Sequence, residues 1–404
     1  MIVVLFFFWR IFDFIIIFFS QKIIPYLGFF PYKDQLPGFN LPSWISALAN
    51  FDGLHYISIA RNGYAQYEQA FFPLYSILIK FLTPLFFNNQ LLTGLLISNV
   101  SFLIGLFIFS KYLKLMSSNN QQFNNLTIVF ILLFPTSFFF GAVYTEGLFF
   151  LLLISTLYFL KKENYLAVIV FAFLTSLTRL VGVFLIVPIV FHLIQRIVPP
   201  KVGDNNQTMK QLNNGFILNT KYLILALSPL LGLGLYCLYL FKTTGDPLFF
   251  LTSQPIFGAN RSSHLILLPQ VYWRYFKIFL TAAHDSRFYV SVVEFFTFNF
   301  VFIILIFDLF KNLKIKNWKL IENCKLKIEN YDLLALNIFS FSNLILPTLT
   351  GTFSSIPRYS LFSLSFFIYL AQIKNNLIKY LIFIVFLILH ILLLGYFTQG
   401  YFIS

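Results

Sequence analysis

The run Leu377-Ile378-Lys379-Tyr380-Leu381-Ile382-Phe383-Ile384-Val385-Phe386-Leu387-Ile388-Leu389-His390-Ile391-Leu392-Leu393-Leu394-Gly395-Tyr396-Phe397 carries one full charge, at Lys379. About 20 mostly apolar residues in a helix cross the ~30 Å hydrocarbon of a bilayer, and this run meets that length. Comparable runs occupy 2–20, 91–113, 222–241, 290–310 and 333–350, with shorter ones at 71–87, 126–143, 146–160, 165–178, 180–195 and 359–373. In lipid the backbone must satisfy its own polar groups, which leaves helices or closed barrels. The alternating apolar period of a membrane barrel is missing. The expected fold is all-α: one polytopic transmembrane domain over 1–404 with about 11 spans, plus or minus 2.

Composition points the same way. Hydrophobic residues make up 59% of the chain and charged ones 10%, with 57 Phe, whereas soluble domains carry about 25% charge. The formal net charge of +14 would suit a nucleic-acid binder, but the basic residues punctuate apolar runs instead of forming one patch, so no nucleic-acid partner is expected. Cys237 sits in an apolar run and Cys324 in a Lys-rich loop, which makes a disulfide between them an unexpected pairing. No metal-ligand spacing is present. Met1–Phe8 is apolar from the start, which reads as a retained first span and not a cleaved leader.

The lysines set the expected sidedness. Lys111 and Lys114, Lys161 and Lys162, the group Arg196, Lys201, Lys210 and Lys221, the six lysines from Lys311 to Lys327, and Lys374 with Lys379 all fall between apolar runs. The positive-inside rule makes these loops cytoplasmic. The outer segments are then 31–70, which holds an interfacial helix, 140–146, the region of 179, 242–289 and 351–358. Segment 71–87 breaks the parity of crossings, and Lys80, Pro73 and Pro84 favour an incomplete or tilted insertion there. Loop 201–220 reads as an unstructured connection, and 311–330 as an amphipathic stretch on the inner leaflet.

Polar residues in the outer segments carry the functional signal. In Asn50-Phe51-Asp52-Gly53-Leu54-His55-Tyr56, helical spacing places Asp52, His55 and Tyr56 on one face. A carboxylate beside a histidine is suited to acid/base work, and an N-cap role for Asp52 is the plainer alternative. Arg61, Arg179, Arg261, Arg274, Arg287 and Arg358 map outward, and Arg10 and Arg196 inward. Guanidinium groups bind phosphate in a bidentate manner, although Arg179 and Arg358 also fit snorkelling or loose contact with headgroups. Glu146 stands at a turn, where it would favour the positive end of the following helix. Asp246 reads as a turn residue, and His284 and Asp285 as loop polarity. An outward basic cleft holding carboxylates fits an anionic ligand such as a lipid phosphate. The residues alone leave a lipid-linked transferase and a lipid-phosphate transporter undistinguished.

Segment 50–64, followed by Ala70-Phe71-Phe72-Pro73-Leu74-Tyr75, resembles the first outer loop of the PIG-V type of mannosyltransferase. Further similar pieces follow in the family's order: Leu133-Phe134-Pro135-Thr136-Ser137-Phe138-Phe139 with Tyr144-Thr145-Glu146, then Leu177-Thr178-Arg179-Leu180-Val181-Gly182, Thr243–Leu248 and Ile356-Pro357-Arg358-Tyr359. The resemblance implies a multispanning glycosyltransferase of the GT-C superfamily. It would transfer a sugar, with mannose expected, from a polyprenyl-phosphate donor to a lipid or glycan acceptor at the extracytoplasmic face of a prokaryotic cell membrane. No cofactor and no metal are implied. Asp52 matches the family's acidic residue and would be the general base. Arg179 and Arg358 are the candidates for the donor phosphate, His55 for orienting Asp52 or the acceptor, Glu146 for sugar hydroxyls, and Tyr56, Tyr144 and Tyr359 for packing on sugar or prenyl chain. Gly53 and Gly147 depart from the family's pattern. The alternative class is a flippase of isoprenoid-linked glycans.

Overall fold

A computed structural model describes residues 1–27, 33–116, 121–197, 220–257, 261–313 and 331–403. Loops 201–219 and 314–330, and with them the readings made for those stretches, lie outside the described residues. Among the described residues the structure is helical and has no strand. The helices used below are α1 (Ile2–Ile23), α2 (Asp52–Asn62), α3 (Pro73–Leu82), α4 (Gln90–Met116), α5 (Gln121–Leu133), α6 (Glu146–Lys161), α7 (Tyr165–Thr178), α8 (Ile186–Ile197), α9 (Thr220–Thr244), α10 (Leu268–Thr281), α11 (Ser286–Leu313), α12 (Tyr331–Ile345), α13 (Leu364–Gln372) and α14 (Asn376–Thr398).

Six of the helical segments are long and apolar enough to cross a membrane: α1, α4, α9, α11, α12 with its continuation to Thr350, and α14. Their outer faces would be untenable in water. Phe7, Phe8, Ile11, Ile15 and Phe19 on α1 are exposed, as are Leu377, Leu381, Ile384, Val385 and Ile388 on α14. A bilayer removes that cost, because apolar side chains then meet lipid. The chain is a helical membrane protein.

The interior belongs to the central helices. On α6, Phe149, Phe150, Leu153 and Ile154 are fully buried, and α6 packs against α4 and α7. Small residues permit the approach: a Cβ at Gly147 would stand 2.4 Å from the Ser98 carbonyl oxygen of α4, and one at Gly105 would stand 2.7 Å from the Phe150 ring. Close backbone contact at small residues is how helices associate where lipid removes the hydrophobic driving force.

The shorter apolar runs are interrupted where the sequence demands it. Run 126–143 stops being an α-helix at Leu133, since Pro135 disfavours helix in the residue before it, and resumes as a tight turn over Ser137–Gly141. Run 359–373 breaks at Ser363 before α13. Helix α3 packs antiparallel against the start of α4: its Tyr75 hydroxyl meets Ser98 at 2.8 Å, and just past its end the Thr83 hydroxyl reaches Thr93 at 3.4 Å.

The two ends of the bundle differ. At one end Lys161 pairs with Asp332, Lys311 bonds Gln372 and Arg196 pairs with Glu163. This end gathers lysine-bearing termini that the sequence places on one side. At the other end converge the start of α2, the start of α6, the end of α7 and the turn before α13.

Candidate active site

Four charged groups from four parts of the chain meet at that second end. The Asp52 carboxylate at the start of α2 lies 2.6 Å from Nη1 of Arg358. Arg358 Nε lies 3.3 Å from Oε1 of Glu146, the same oxygen that pairs with Arg179. The order Asp52, Arg358, Glu146, Arg179 is a chain of alternating charge. Glu146 is fully buried, and its Oε2 has no hydrogen-bond partner among the described residues. A carboxylate without solvent is tolerable only when cations and donors surround it, and the two arginines supply them.

Local backbone explains the placement. Phe51 holds φ 58° just before Asp52, Tyr67 holds φ 72° just before Glu68, and Ser355 holds φ 69° shortly before Arg358. Each is a non-glycine residue in the left-handed region, a conformation kept only where the surroundings over-determine it. Phe51 is clamped by the rings of Phe397 and Phe402. The Arg358 turn is tied down by Thr136 Oγ1 donating to the Pro357 carbonyl at 2.7 Å and by Asn343 donating to the Tyr359 carbonyl at 2.7 Å. Arg179 sits where the chain leaves α7 in extended conformation and folds back. A Cβ at Gly182 would stand 2.7 Å from the Thr175 backbone.

Aromatic rings hold the guanidinium planes. Arg179 lies 4.7 Å from the Tyr359 ring centroid and 5.3 Å from that of Phe362, and Arg358 lies 5.4 Å from Tyr144 and 5.5 Å from Phe139. Such contacts strengthen when desolvated.

A cavity of about 930 Å³ opens on this cluster. Asp52, His55, Tyr56, Arg179, Arg358 and Tyr359 line it. Its remaining wall is mostly apolar, including Phe71, Phe72, Leu251, Leu346 and Leu349. Tyr144 and Glu146 stand outside this lining. The Tyr144 hydroxyl donates to the Asn50 carbonyl at 2.8 Å, and its ring supports Arg358. Glu146 faces the arginines from behind the cavity wall.

Other expectations are corrected here. Asp52 is not a cap: the helix begins on it without a side-chain cap bond, and its carboxylate goes to Arg358. Helix α2 does not lie loosely at a water–lipid boundary, since Leu54, Tyr56, Ile57, Ile59 and Ala60 are buried. Gly53 serves close approach, with its would-be Cβ 3.2 Å from the Val143 carbonyl oxygen. His55 bonds Glu68 at 3.0 Å and stacks on Phe71 at 4.9 Å between centroids. Glu68, which the sequence reading passed over, also accepts from the Ala65 amide at 3.0 Å. Arg10, assigned inward, is buried within α1. It donates to Asp13 at 3.1 Å and to the Gly141 carbonyl at 2.8 Å, and Asp13 in turn bonds His390 of α14 at 2.8 Å. Asp246 is the turn residue expected, accepting from the Leu248 amide at 2.8 Å. Asp285 accepts from the Arg287 and Phe288 amides at the start of α11.

Electrostatics follow from the geometry. Burial alone would raise the Asp52 carboxyl, but Arg358 beside it outweighs that and leaves it below the usual carboxylate range. Burial lowers the Arg358 guanidinium, and Asp52 with Glu146 more than restore it, so it ends above its ordinary value. Asp52 and both arginines are therefore ionised at neutral pH. Among the described residues no group of three or more His, Cys, Asp or Glu is arranged to hold a metal ion.

No protein-family model, no curated protein and no solved structure matches this chain.

Proposed function

We propose that this protein is an inverting glycosyltransferase of GT-C-like architecture with about 11 spans. In this reading it moves a sugar, mannose in the first instance, from a polyprenyl-phosphate donor to a lipid or glycan acceptor at the extracytoplasmic face. The observation that carries the reading is the meeting of Asp52, Arg358 and Arg179 on one cavity that also has an apolar stretch of wall, with Phe71, Phe72, Leu251, Leu346 and Leu349. A phosphate joined to an isoprenoid chain needs both kinds of wall at once. The cluster's position opposite the lysine-bearing end supports the outer face.

The chemistry requires one base. The acceptor hydroxyl gives its proton to the Asp52 carboxylate as its oxygen bonds the anomeric carbon. The bond from that carbon to the phosphate oxygen breaks, and the lipid phosphate departs with the electron pair. Fixed guanidiniums stabilise the charge that develops on it. A retaining route would place a second carboxylate within about 5.5 Å across the sugar. Glu146 is wholly buried and off the cavity wall, and Glu68, which lines the cavity, is engaged by His55 and the Ala65 amide, which favours direct displacement.

The test is reconstitution of the full chain in liposomes with labelled polyprenyl-phosphate mannose and membrane acceptors. The reading expects label in a new glycoside and free polyprenyl phosphate. Protein-dependent movement of an isoprenoid-linked glycan between leaflets, with no sugar transferred, would replace it with the flippase.

A further inference from the structure

The three guanidiniums lining the cavity are not equivalent. Arg358 is shared by Asp52 and Glu146, and Arg179 is paired with Glu146, so those four charges cancel. Arg261 is held by neutral partners. Its Nη1 donates to Gln254 Oε1 at 3.1 Å and its Nη2 to Ser355 Oγ at 3.1 Å. Burial lowers its guanidinium from the ordinary value, and Tyr359 and Asp52 offset only part of that. It is a cation facing the cavity with no carboxylate in contact among the described residues.

A second observation lies on the same wall. Ser354 is 5% exposed, lines the cavity, and its hydroxyl has no hydrogen-bond partner among the described residues. Buried polar groups are satisfied in about 90% of cases or more, so this hydroxyl keeps an unspent hydrogen-bonding capacity at the cavity wall. Ser354 is adjacent to Ser355, which Arg261 bonds, and it lies on the turn that leads to Arg358. The strand-like segment after Arg261 is pinned to the chain before that turn: Ser262 donates from its amide to the Thr350 carbonyl at 2.8 Å, and Ile266 to that of Leu349 at 2.9 Å. The two groups are thus held in one frame.

We infer that Arg261 and Ser354 form the resting anchor for the phosphate of a phosphorylated isoprenoid lipid, ahead of Arg358. The inference deepens the transferase reading and rests on it. An anion reaching Arg358 must first displace Asp52, whereas Arg261 exchanges only neutral partners. Arg358 joins as the phosphate draws it from Asp52, and that frees the carboxylate to take the acceptor proton. Arg179 stays with Glu146 as a positioning residue. The phosphate chemistry is shared by a lipid phosphate and by free phosphate, and the apolar walls commit the lipid form.

The experiment measures binding of a short-chain polyprenyl phosphate to the purified full chain in detergent, with inorganic phosphate as a separate arm. Arg261→Gln should weaken lipid-phosphate binding roughly tenfold or more, as loss of a charge-assisted contact does. Arg261→Lys should recover part of it. Ser354→Ala removes no existing bond, so it should fold as the parent does and weaken binding a few-fold. Arg179→Gln should bind within about threefold of the parent and lower kcat with little change in KM. Unchanged binding in both Arg261→Gln and Ser354→Ala, with loss in Arg358→Gln, would overturn the anchor and leave the transferase standing. Equal affinity for inorganic phosphate would overturn the lipid assignment. A parent protein that binds no polyprenyl phosphate would take down the transferase reading together with the anchor.

Discussion

The Asp52 carboxylate and the Arg358 guanidinium meet at 2.6 Å although 306 positions separate them in the chain. In the proposed reaction this pair joins the base to the phosphate-binding guanidinium before any substrate arrives. At rest each neutralises the other. In the proposed reaction a phosphate moving on from Arg261 competes with Asp52 for Arg358, so engagement of Arg358 and release of the base are one event.

The pair has a pH signature. Asp52 lies below the usual carboxylate range because Arg358 outweighs burial. Its contribution to stability is therefore present above the unfolded value near 4 and is lost as pH falls through the lowered folded value. The kcat/KM of transfer, which reports the groups of the free protein, should likewise keep its Asp52-dependent acid limb below the ordinary carboxylate range. In Arg358→Gln, burial is left to dominate, and that limb should move up toward neutrality. Rate profiles of both proteins between pH 3 and 8 check this; superimposable acid limbs would contradict it.

Packing at the start of α6 sets the position of Glu146. A Cβ on Gly147 would stand 2.4 Å from the Ser98 carbonyl oxygen and 2.7 Å from that of Phe140. Both neighbours are backbone and cannot yield cheaply. Gly147→Ala should cost about 1–3 kcal/mol, as overpacking does, and should reduce transfer by shifting Glu146 behind the arginines. Gly234→Ala is the control, since a Cβ there meets nothing within 4 Å. Thermal unfolding in detergent reads both, and equal midpoints would refute the argument.

Arg10, Asp13 and His390 tie α1 and α14 to the segment carrying Tyr144 and Glu146. Asp13 and His390 are almost wholly buried, and His390 Nδ1 also lies 3.3 Å from Ser137 Oγ. Asp13→Ala leaves Arg10 buried without its carboxylate and should cost about 3–5 kcal/mol. Replacing the pair together, as Arg10→Met with Asp13→Leu, should cost much less. Melting midpoints of the two variants separate a paired buried charge from ordinary core packing; equal losses would contradict the pairing.

The long spans were legible because length and apolarity alone define them: α1, α4, α9, α11 and α14 contain the runs read at 2–20, 91–113, 222–241, 290–310 and 377–397. Asp52, Arg179 and Arg358 were legible as charges near apolar ends, where lipid makes them costly and therefore informative. What stayed hidden depends on contacts distant in sequence. Arg10 and Asp13 are three residues apart, but nothing near them shows that Asp13 is answered by His390, 377 positions further along. The place of α3 depends on Tyr75 and Thr83 finding α4, which apolarity cannot report. Glu68 sits in a polar stretch, and only the fold brings it to His55. The empty bonding capacity of Ser354 has no sequence signal at all.

The most direct measurement is single-turnover transfer from polyprenyl-phosphate mannose by the reconstituted parent and by Asp52→Asn, with polyprenyl-phosphate binding measured alongside. The account predicts a fall in transfer of about 10²–10⁴-fold, the range for loss of a positioned base, with lipid-phosphate binding retained. Transfer at the parent's rate by Asp52→Asn would contradict it.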